Sequence, residues 1–177
     1  MILQHLQPLE QESLARGIPI IGSKKGTWLL KKVQQVKPKK ILELGTANGY
    51  SGCILGSEGA ELTTLEVNAI IANEARENFK KYGINAQVLV GDAVEIIKRL
   101  AKEKSSHFVR DFPNGKSEYY DLIFIDFAKN KYKDVLEDCI KLVQKGGFII
   151  ADNITMGGCQ NYKEAVLRHS QLKTELI

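Results

Sequence analysis

The stretch Ile41-Leu42-Glu43-Leu44-Gly45-Thr46-Ala47-Asn48-Gly49-Tyr50-Ser51 decides the fold of this chain of 177 residues. Residues 41–44 have the character of a buried strand, and a turn between two glycines leads into a short helical segment, 51–56. Glycine permits a close approach of ligand to backbone, and we expect N–H groups in this turn to be open to one. In open α/β sheets the turn after the first strand binds nucleotide-like ligands. The dinucleotide fingerprint Gly-x-Gly-x-x-Gly is absent, and Glu43 favours a cationic ligand over a pyrophosphate.

Length and composition are those of an ordinary globular domain. The sequence is 44% hydrophobic and 26% charged, so we predict a single domain, residues 1–177, with a sizeable core. The net charge of +4 comes from scattered lysines, which permit an anionic partner such as RNA or coenzyme A but are explained as well by a solvated surface. Cys53, Cys139 and Cys159 fit neither a disulfide framework nor a zinc pattern. With no apolar run of about 20 residues and no signal-peptide pattern, we expect no membrane partner and a cytoplasmic protein with reduced thiols.

Alternating strand and helix patterns predict an α/β fold with a doubly wound, mainly parallel sheet in the order 3-2-1-4-5. We expect strands at 41–44, 61–67, 86–90, 121–126 and 148–151. Helices are expected at 1–12, 24–36, 69–82, 93–102, 132–143 and 160–169, with Ser23 and Asn68 as N-caps and Gly146-Gly147 ending the fifth of them. Residues 104–119 are predicted to be an irregular surface excursion in which His107 faces solvent.

The last residues of the chain, Leu172 to Ile177, are predicted to begin a further strand at the edge of the sheet. An uncovered edge strand presents unpaired N–H and C=O groups to other chains. We therefore predict a homodimer in which this C-terminal region lies at or near the contact.

Polar side chains fall at the carboxyl ends of the predicted strands: Glu43, Glu66, Asp92, Asp126, Asp152 and Asn153. Neighbouring strands lie about 4.8 Å apart, so Asp126 and Asp152 on adjacent strands would reach one cation. Two carboxylates and the amide oxygen of Asn153 are hard ligands that suit Mg²⁺ or Ca²⁺. The alternative is that an acid at a strand end caps the following helix, and for any single acid the two interpretations weigh equally.

Two of these acids have further roles to choose between. Glu66 would accept hydrogen bonds from ribose hydroxyls, a placement shared by NAD-binding sheets and methyl-donor-binding sheets. Asp92 would either accept a hydrogen bond from an adenine amino group or cap its own helix. Neither residue by itself distinguishes one class of enzyme from another.

Three motifs taken together resemble a known family. Leu-Glu-Leu-Gly-x-x-x-Gly-Tyr-Ser (42–51), Ile-Asp-x-x-Lys (125–129) and Ala-Asp-Asn (151–153) follow the order and spacing of the catechol and caffeoyl-coenzyme A O-methyltransferases. The similarity covers roughly residues 18–177, and Gly22-Ser23-Lys24-Lys25-Gly26 resembles the family's lead-in beside the methyl donor and the acceptor. The resemblance implies a Rossmann-like methyltransferase fold with a truncated C-terminal strand region, and S-adenosylmethionine as the cofactor.

The resemblance also implies a role for each motif residue. Glu66 would bind the ribose, and Ser51 with the backbone of residues 45–49 would hold the methionine carboxylate. A divalent metal, usually Mg²⁺, would bind Asp126, Asp152 and Asn153, and Lys129 would be the general base. The implied cofactor-binding set is Glu43, Gly45, Thr46, Gly49, Tyr50, Ser51, Glu66, Asp92, Ala93 and Asp126.

The reaction implied is methyl transfer from S-adenosylmethionine to a small-molecule hydroxyl that stands next to a second oxygen, as in a catechol. A hydroxylated nucleoside in tRNA is an alternative acceptor, and the basic pI of about 8.9 is compatible with RNA. A nicotinamide-dependent oxidoreductase is disfavoured by the missing glycine fingerprint. A non-catalytic S-adenosylmethionine-binding protein is a further alternative, against which the presence of every metal and base residue argues.

Overall fold

The structure, a computed structural model, describes residues 2–105 and 119–177. Within these ranges the helices are α1 (Ile2–His5), α2 (Gln7–Ala15), α3 (Gly22–Val36), α4 (Tyr50–Leu55), α5 (Ala69–Lys81), α6 (Ala93–Ser105), α7 (Tyr132–Leu142) and α8 (Gln160–Arg168). The strands are β1 (Lys40–Leu44), β2 (Glu61–Glu66), β3 (Ala86–Val90), β4 (Tyr120–Ile125) and β5 (Val143–Ala151). Short 3₁₀ turns at Gly56–Glu58 and Lys129–Lys131 precede β2 and α7. Strands and helices alternate as the sequence predicts.

The sheet has five parallel strands in the order β3-β2-β1-β4-β5, which confirms the predicted doubly wound fold. Leu44 of β1 lies opposite Ile125 of β4, and Ile125 lies opposite Ala151 of β5. The next residues continue both ladders, because Asp126 N donates to Leu44 O at 2.9 Å and Asp152 N donates to Ile125 O at 3.0 Å. The two acids therefore leave adjacent strands at the same level, on the carboxyl edge of the sheet.

Apolar side chains alternate along the central strands and fill a core on each face of the sheet. Ile41, Leu122 and Phe124 pack on the side of α3, α4 and α5, whereas Leu42, Leu44, Ile123 and Ile125 pack on the side of α6, α7 and α8. Such two-sided burial is typical of parallel sheets covered by helices. The three cysteines are buried in these cores and are free thiols, as the sequence predicts.

The first turn of α3 differs from its predicted form. The helix begins at Gly22, so Ser23 lies inside it and is not the N-cap. Oε1 of Glu10, a residue of α2, accepts a hydrogen bond from Ser23 N at 2.8 Å. A carboxylate satisfies the unpaired N–H groups at a helix N-terminus and the positive end of its dipole. The predicted helix at 1–12 is in fact the pair α1 and α2, whose second member supplies this carboxylate.

The predicted cap at Asn68 is confirmed. Its side-chain oxygen accepts hydrogen bonds from Ile70 N at 2.9 Å and Ile71 N at 3.3 Å, at the start of α5. The predicted stop at residues 146–147 is wrong, because α7 ends at Leu142 and these glycines lie within β5. A Cβ on Gly147 would lie 2.9 Å from the carbonyl oxygen of Asp121, so glycine is needed where β5 breaks register against β4.

The strand predicted for Leu172–Ile177 is wrong, since these residues have no regular secondary structure. The Thr174 hydroxyl donates to Val166 O at 2.7 Å, and Leu172 packs against the second core. Both contacts hold the segment on α8, away from a ladder partner, and a strand without a partner gains no backbone hydrogen bonds. The edge-strand reason for a homodimer is therefore lost.

The predicted surface excursion, with His107, falls for the most part at 106–118, outside the described residues, while α6 extends to Ser105. In the described ranges, no helix combines the length and the apolar character that crossing a membrane requires.

Candidate active site

In the turn after β1, more backbone N–H groups are hydrogen-bonded within the protein than the sequence predicts. Gly45 N and Thr46 N both donate to Leu65 O, at 3.0 and 3.1 Å, and Gly49 N donates to Thr46 O at 2.9 Å. Ala47 N donates to Oε2 of Glu66 at 2.9 Å. The expectation of open N–H groups in this turn is therefore wrong for these four residues. These four N–H groups are therefore not available to a phosphate, in agreement with the missing dinucleotide fingerprint.

Gly45 allows β1 and β4 to meet beneath this turn. Its φ is +98°, and a Cβ at this position would lie only 2.0 Å from the carbonyl oxygen of Asp126. Gly49 also has a positive φ, +92°, with Phe79 of α5 packed behind it. The two glycines thus bring the ends of neighbouring elements together, which is a stronger requirement than the turn alone.

Glu43 lies fully buried below the turn. Its carboxyl group accepts hydrogen bonds from the Ser51 hydroxyl at 2.5 Å and the Thr64 hydroxyl at 2.7 Å, and Thr64 also bonds the Thr46 hydroxyl at 2.6 Å. Burial raises the pKa of Glu43 to about 8, even though both hydroxyl donors act to lower it. The carboxyl group links β1, β2 and α4 by hydrogen bonds, and it accepts the one hydrogen bond that the hydroxyl of Ser51, a predicted cofactor residue, can donate.

Tyr50 is buried as well, and its side chain points to the N-terminal helices. Its hydroxyl donates to Oε2 of Glu10 at 3.2 Å, so only its backbone faces the turn. Asn48 is held from the same side, because its amide nitrogen donates to the Ser13 hydroxyl at 2.7 Å. The Asn48 side-chain oxygen has no partner among the described residues. Sequence reasoning missed this support from α2, since nothing in residues 7–15 marks a contact with the turn.

Glu66 lies at the end of β2, where the sequence places the ribose-binding acid. Besides Ala47 N, its carboxylate accepts a hydrogen bond from Asn68 N at 2.9 Å, through the other oxygen. Each carboxylate oxygen has a second acceptor site, so these bonds leave capacity for ribose hydroxyls. The hydrogen bond from Ala47 N to Glu66 also aligns the turn with the end of β2.

Asp92 caps its helix and in addition holds a lysine. Oδ1 accepts hydrogen bonds from Val94 N at 2.8 Å and Glu95 N at 3.4 Å, just after Ala93 begins α6. Oδ2 accepts one from Lys131 Nζ at 2.7 Å, and this lysine holds the pKa of Asp92 below its ordinary value. The structure shows the capping role of Asp92, and its contact with an adenine amino group stays a prediction. The ion pair with Lys131 was not predicted.

Two lysines contact the polar residues that follow β4 and β5. Lys129 Nζ donates to Oδ1 of Asp126, from the 3₁₀ turn that follows β4. Lys25 Nζ contacts both carboxylate oxygens of Asp152, at 2.6 and 2.9 Å, and the amide oxygen of Asn153 at 2.5 Å. Asn153 has a left-handed backbone, with φ +59°, which asparagine tolerates better than most residues. The sequence placed Lys25 in the lead-in motif at residues 22–26 but did not predict its contact with Asp152 and Asn153.

Tyr132 contacts Lys129 and also belongs to this site, although the sequence did not predict a role for it. Its hydroxyl accepts a hydrogen bond from Lys129 Nζ at 2.9 Å, and its ring is fully buried. Phe127 stacks on the ring at 5.4 Å between centroids, and Tyr162 meets it edge-on at 5.5 Å. Burial raises the pKa of the Tyr132 hydroxyl, so it stays neutral. Asp126, Lys129 and Tyr132 follow one another at intervals of three residues, and this spacing could have indicated Tyr132 from the sequence.

The donor set at the strand ends fits a hard divalent cation. Three oxygens of Asp152 and Asn153 already converge within 2.9 Å on one cationic nitrogen, and Asp126 leaves the neighbouring strand at the same level. Carboxylate and amide oxygens are the ligands that Mg²⁺ and Ca²⁺ prefer. The described residues contain no group of three or more His, Cys, Asp and Glu that would hold a metal, so among them a metal here would rely on the Asn153 amide beside the two carboxylates.

A separate concavity of about 870 Å³ lies at the opposite, amino edge of the sheet. Its walls include Lys39, Lys40 and Asp121, and Oδ2 of Asp121 accepts hydrogen bonds from the N–H groups of both lysines, at 2.6 and 2.8 Å. Tyr119 on its wall adjoins residues that the structure does not describe. The polar groups of this concavity join the amino ends of β1 and β4, and they bring no predicted site residue together.

The parallel sheet, the glycine turn after β1 and the acid after β2 define the class of Rossmann-like α/β domains. The chain belongs to the O-methyltransferase family, whose sequence model matches residues 2–175. The resemblance inferred from the three motifs is thereby confirmed.

Individual relatives agree with this family. The chain is 33% identical over 162 residues to catechol O-methyltransferase B of Danio rerio, which covers 87% of this chain and 57% of that protein. It is 31% identical over 149 residues to a catechol O-methyltransferase of Niastella koreensis, covering 80% and 62%. The chain thus spans less than two thirds of the length of these curated relatives. Among solved structures, an O-methyltransferase from Bacillus cereus in complex with SAH matches with a TM-score of 0.74 and 25% identity, over 93% of this chain and 78% of that one.

Proposed function

We propose that this chain transfers a methyl group from S-adenosylmethionine to a hydroxyl oxygen that has a second oxygen beside it, as in a catechol. The observation that carries the proposal is the meeting of Lys129, Asp126 and Asp152 at the ends of β4 and β5, next to the glycine turn after β1. The similarity to catechol O-methyltransferases from two organisms supports this acceptor class.

The donor would bind along the ends of β1 and β2. The Bacillus cereus neighbour binds SAH, and this chain has the same fold. Glu66 has free acceptor capacity for ribose hydroxyls, and Glu43 places a carboxyl group beneath the turn where the methionine part would lie. Because the N–H groups of residues 45–47 and 49 are engaged within the protein, side chains would have to recognise the donor more than the turn's backbone does.

The acceptor would bind beside the ends of β4 and β5. Asp126, Asp152 and Asn153 would hold a divalent metal such as Mg²⁺, which would lower the pKa of a bound hydroxyl and fix its direction. Lys129 Nζ would take the hydroxyl proton, and the oxygen would then attack the methyl carbon as its bond to sulfur breaks. Asp126 and Tyr132 hold the Lys129 nitrogen in place for this step. Positioning of this kind supplies much of the rate of an in-line displacement.

A methyl-transfer screen tests the proposal. Labelled S-adenosylmethionine is offered with catechols, phenolic thioesters or total tRNA, each with Mg²⁺. Transfer to a catechol is the expected result, and transfer to tRNA alone would replace the acceptor class. Lys129→Met should reduce the rate by roughly 10²–10⁴-fold, the contribution of a positioned base. Lys133→Met, which changes an exposed lysine of α7, should leave the rate as it is. Equal rates in the two variants would remove Lys129 from the mechanism.

We also propose that the chain forms a homodimer through its C-terminal region. Support now comes from apolar side chains that stay exposed there, with Leu167 51%, Leu176 50% and Ile177 91% exposed. Exposed apolar side chains are typical of contact surfaces where they form one contiguous patch. One chain has a mass of 19.8 kDa, and light scattering at micromolar concentration should give twice that mass. A single-chain mass would contradict the proposal.

A further inference from the structure

Lys25 occupies the oxygens that the proposed function assigns to a metal. Its ammonium lies 2.6 and 2.9 Å from the two oxygens of Asp152 and 2.5 Å from the amide oxygen of Asn153. The Asp152 side chain is only 14% exposed, so its charge is poorly screened by solvent, whereas that of Lys25 is 48% exposed. The lysine therefore reaches in from the surface to neutralise a carboxylate that is mostly withdrawn from water.

A divalent cation and this ammonium cannot use the same three oxygens together. Both would bind the same carboxylate and amide oxygens, and two positive charges a few ångströms apart repel strongly where solvent screening is weak. We propose that the Lys25 side chain competes with the metal for the oxygens of Asp152 and Asn153. The ammonium group must leave these oxygens before a divalent cation can bind. This inference rests on the proposed function, because that function supplies the metal.

Only the side chain of Lys25 has to move when a metal replaces it on these oxygens. On one side of it, Ser23 N is held by Glu10 at 2.8 Å. On the other, a Cβ on Gly26 would lie 2.9 Å from Ile54, so the helix backbone packs closely against α4. A lysine has a flexible four-carbon stem that can swing into solvent without moving the helix. The consequence of the competition is thus a weaker apparent metal affinity, with no requirement for a change of fold.

The size of the effect follows from the occupancy of the contact. The apparent dissociation constant of the metal equals its intrinsic value divided by the fraction of molecules in which the oxygens are open. If Lys25 holds the oxygens for about 70–90% of the time, its removal tightens metal binding roughly three- to tenfold. In the metal-free protein the same removal leaves Asp152 without its counter-ion.

The test is Mg²⁺ binding by isothermal titration calorimetry, without any acceptor, for the wild type and three variants. Lys25→Met should tighten Mg²⁺ binding roughly three- to tenfold. Lys25→Arg keeps the cation and should stay near the wild type. Lys24→Met is the matched control, because Lys24 is an exposed neighbour on the same turn that makes no ion pair among the described residues. An affinity of Lys25→Met that equals or falls below that of the wild type overturns the proposal.

Thermal unfolding gives a second readout. Without metal, Lys25→Met should have a lower Tm than Lys24→Met, and one fixed Mg²⁺ concentration should raise its Tm by more, since a tighter ligand stabilises the native state further. If the wild type binds Mg²⁺ and Lys25→Met behaves identically, the competition is wrong and the proposed metal site stands. If neither binds Mg²⁺, with or without S-adenosylmethionine, the metal in the proposed function fails together with the competition.

Discussion

The hydroxyl of Tyr132 accepts a hydrogen bond from Lys129 Nζ, and its oxygen lies 3.1 Å from each of two possible acceptors of its own proton, the carbonyl oxygens of Ile125 and Asp152. One hydroxyl group thus connects the proposed base to the ends of β4 and β5. Since these strand ends also carry the proposed metal ligands, the base and the ligands are held in one fixed frame. Tyr132 is in this sense a positioning residue that acts through Lys129.

Tyr132→Phe should therefore lower kcat while leaving the KM for S-adenosylmethionine unchanged. A neutral hydrogen bond contributes about 0.5–1.5 kcal/mol, which corresponds to a loss of roughly 2- to 12-fold in kcat. The fold should survive, because Ile125 O still accepts a hydrogen bond from Asp152 N at 3.0 Å. Steady-state kinetics with the best acceptor from the screen measure this effect. Tyr162→Phe is the control, since Tyr162 packs edge-on against Tyr132 but is not a partner of Lys129. A similar loss of kcat in both variants would mean that the aromatic packing matters and the hydroxyl does not.

The close approach of β1 and β4 predicts a stability difference between two glycines. A side chain on Gly45 or on Gly59 meets the same backbone strain, because their φ angles are +98° and +89°. Only Gly45 also meets a clash, with the carbonyl oxygen of Asp126, whereas a Cβ on Gly59 has nothing within 4 Å. Gly45→Ala should therefore reduce the free energy of unfolding by about 1–3 kcal/mol more than Gly59→Ala, the usual range for overpacking. Urea denaturation of both variants measures the difference, and equal losses would contradict the close approach.

Local signals explain what could be predicted of the fold. The strand order follows from alternating apolar runs and from the handedness of crossovers, and the cap at Asn68 needs only its own helix. The cap of α3 could not be predicted in the same way, because its carboxylate comes from Glu10 in another helix. The segment 172–177 has a strand-like pattern, but whether it forms a strand depends on a partner that the local pattern does not specify.

The candidate site shows the same division. Its motif residues follow strands, so the sheet order alone brings Asp126 and Asp152 to one edge. The lysines at this edge are different, because Lys25 is 127 residues from Asp152 and Lys131 is 39 residues from Asp92. A lysine-rich chain offers many candidates for such ion pairs, and no spacing rule selects among them. These contacts depend on how α3 and the 3₁₀ turn before α7 are arranged around the sheet.

Glu43 predicts a pH dependence of stability. Its pKa in the folded protein, about 8, lies above the ordinary 4.5, so between these values the native state keeps a proton that the unfolded chain has released. Stability is then lost as the pH rises through this window, at a slope of up to about 1.4 kcal/mol per pH unit. Glu43→Gln cannot ionise and should lack this slope, so its stability relative to the wild type should increase with pH. Urea denaturation at two pH values inside the window measures the change.

The comparison needs a control for other titrating groups. Glu77→Gln removes an exposed acid from α5, and its stability relative to the wild type should not follow the same trend. If Glu43→Gln and Glu77→Gln respond alike, the slope belongs to the general charge of the protein and not to the buried carboxyl group.

The last prediction separates the metal from the methyl donor. Asp126, Asp152 and Asn153 lie at the ends of β4 and β5, whereas Glu66 lies at the end of β2, on the other side of β1. EDTA should therefore abolish methyl transfer while S-adenosylmethionine still binds, and added Mg²⁺ should restore turnover. Glu66→Ala should show the converse, with weaker S-adenosylmethionine binding by about 1.5–3 kcal/mol, the scale of a hydrogen bond to a charged group, and unchanged Mg²⁺ affinity.

Asp152→Ala completes the design, because it should reproduce the effect of EDTA without rescue by ordinary Mg²⁺ concentrations. Calorimetry of donor binding and a methyl-transfer assay are run on the same preparations, so a misfolded variant is recognised by loss of both signals. A rate that EDTA leaves unchanged would mean that the acidic strand ends act without a metal, and the lysine contact at Asp152 and Asn153 would then be the lasting state of the site. Loss of donor binding on chelation would instead place the metal at the donor, against the separation that the strand order imposes.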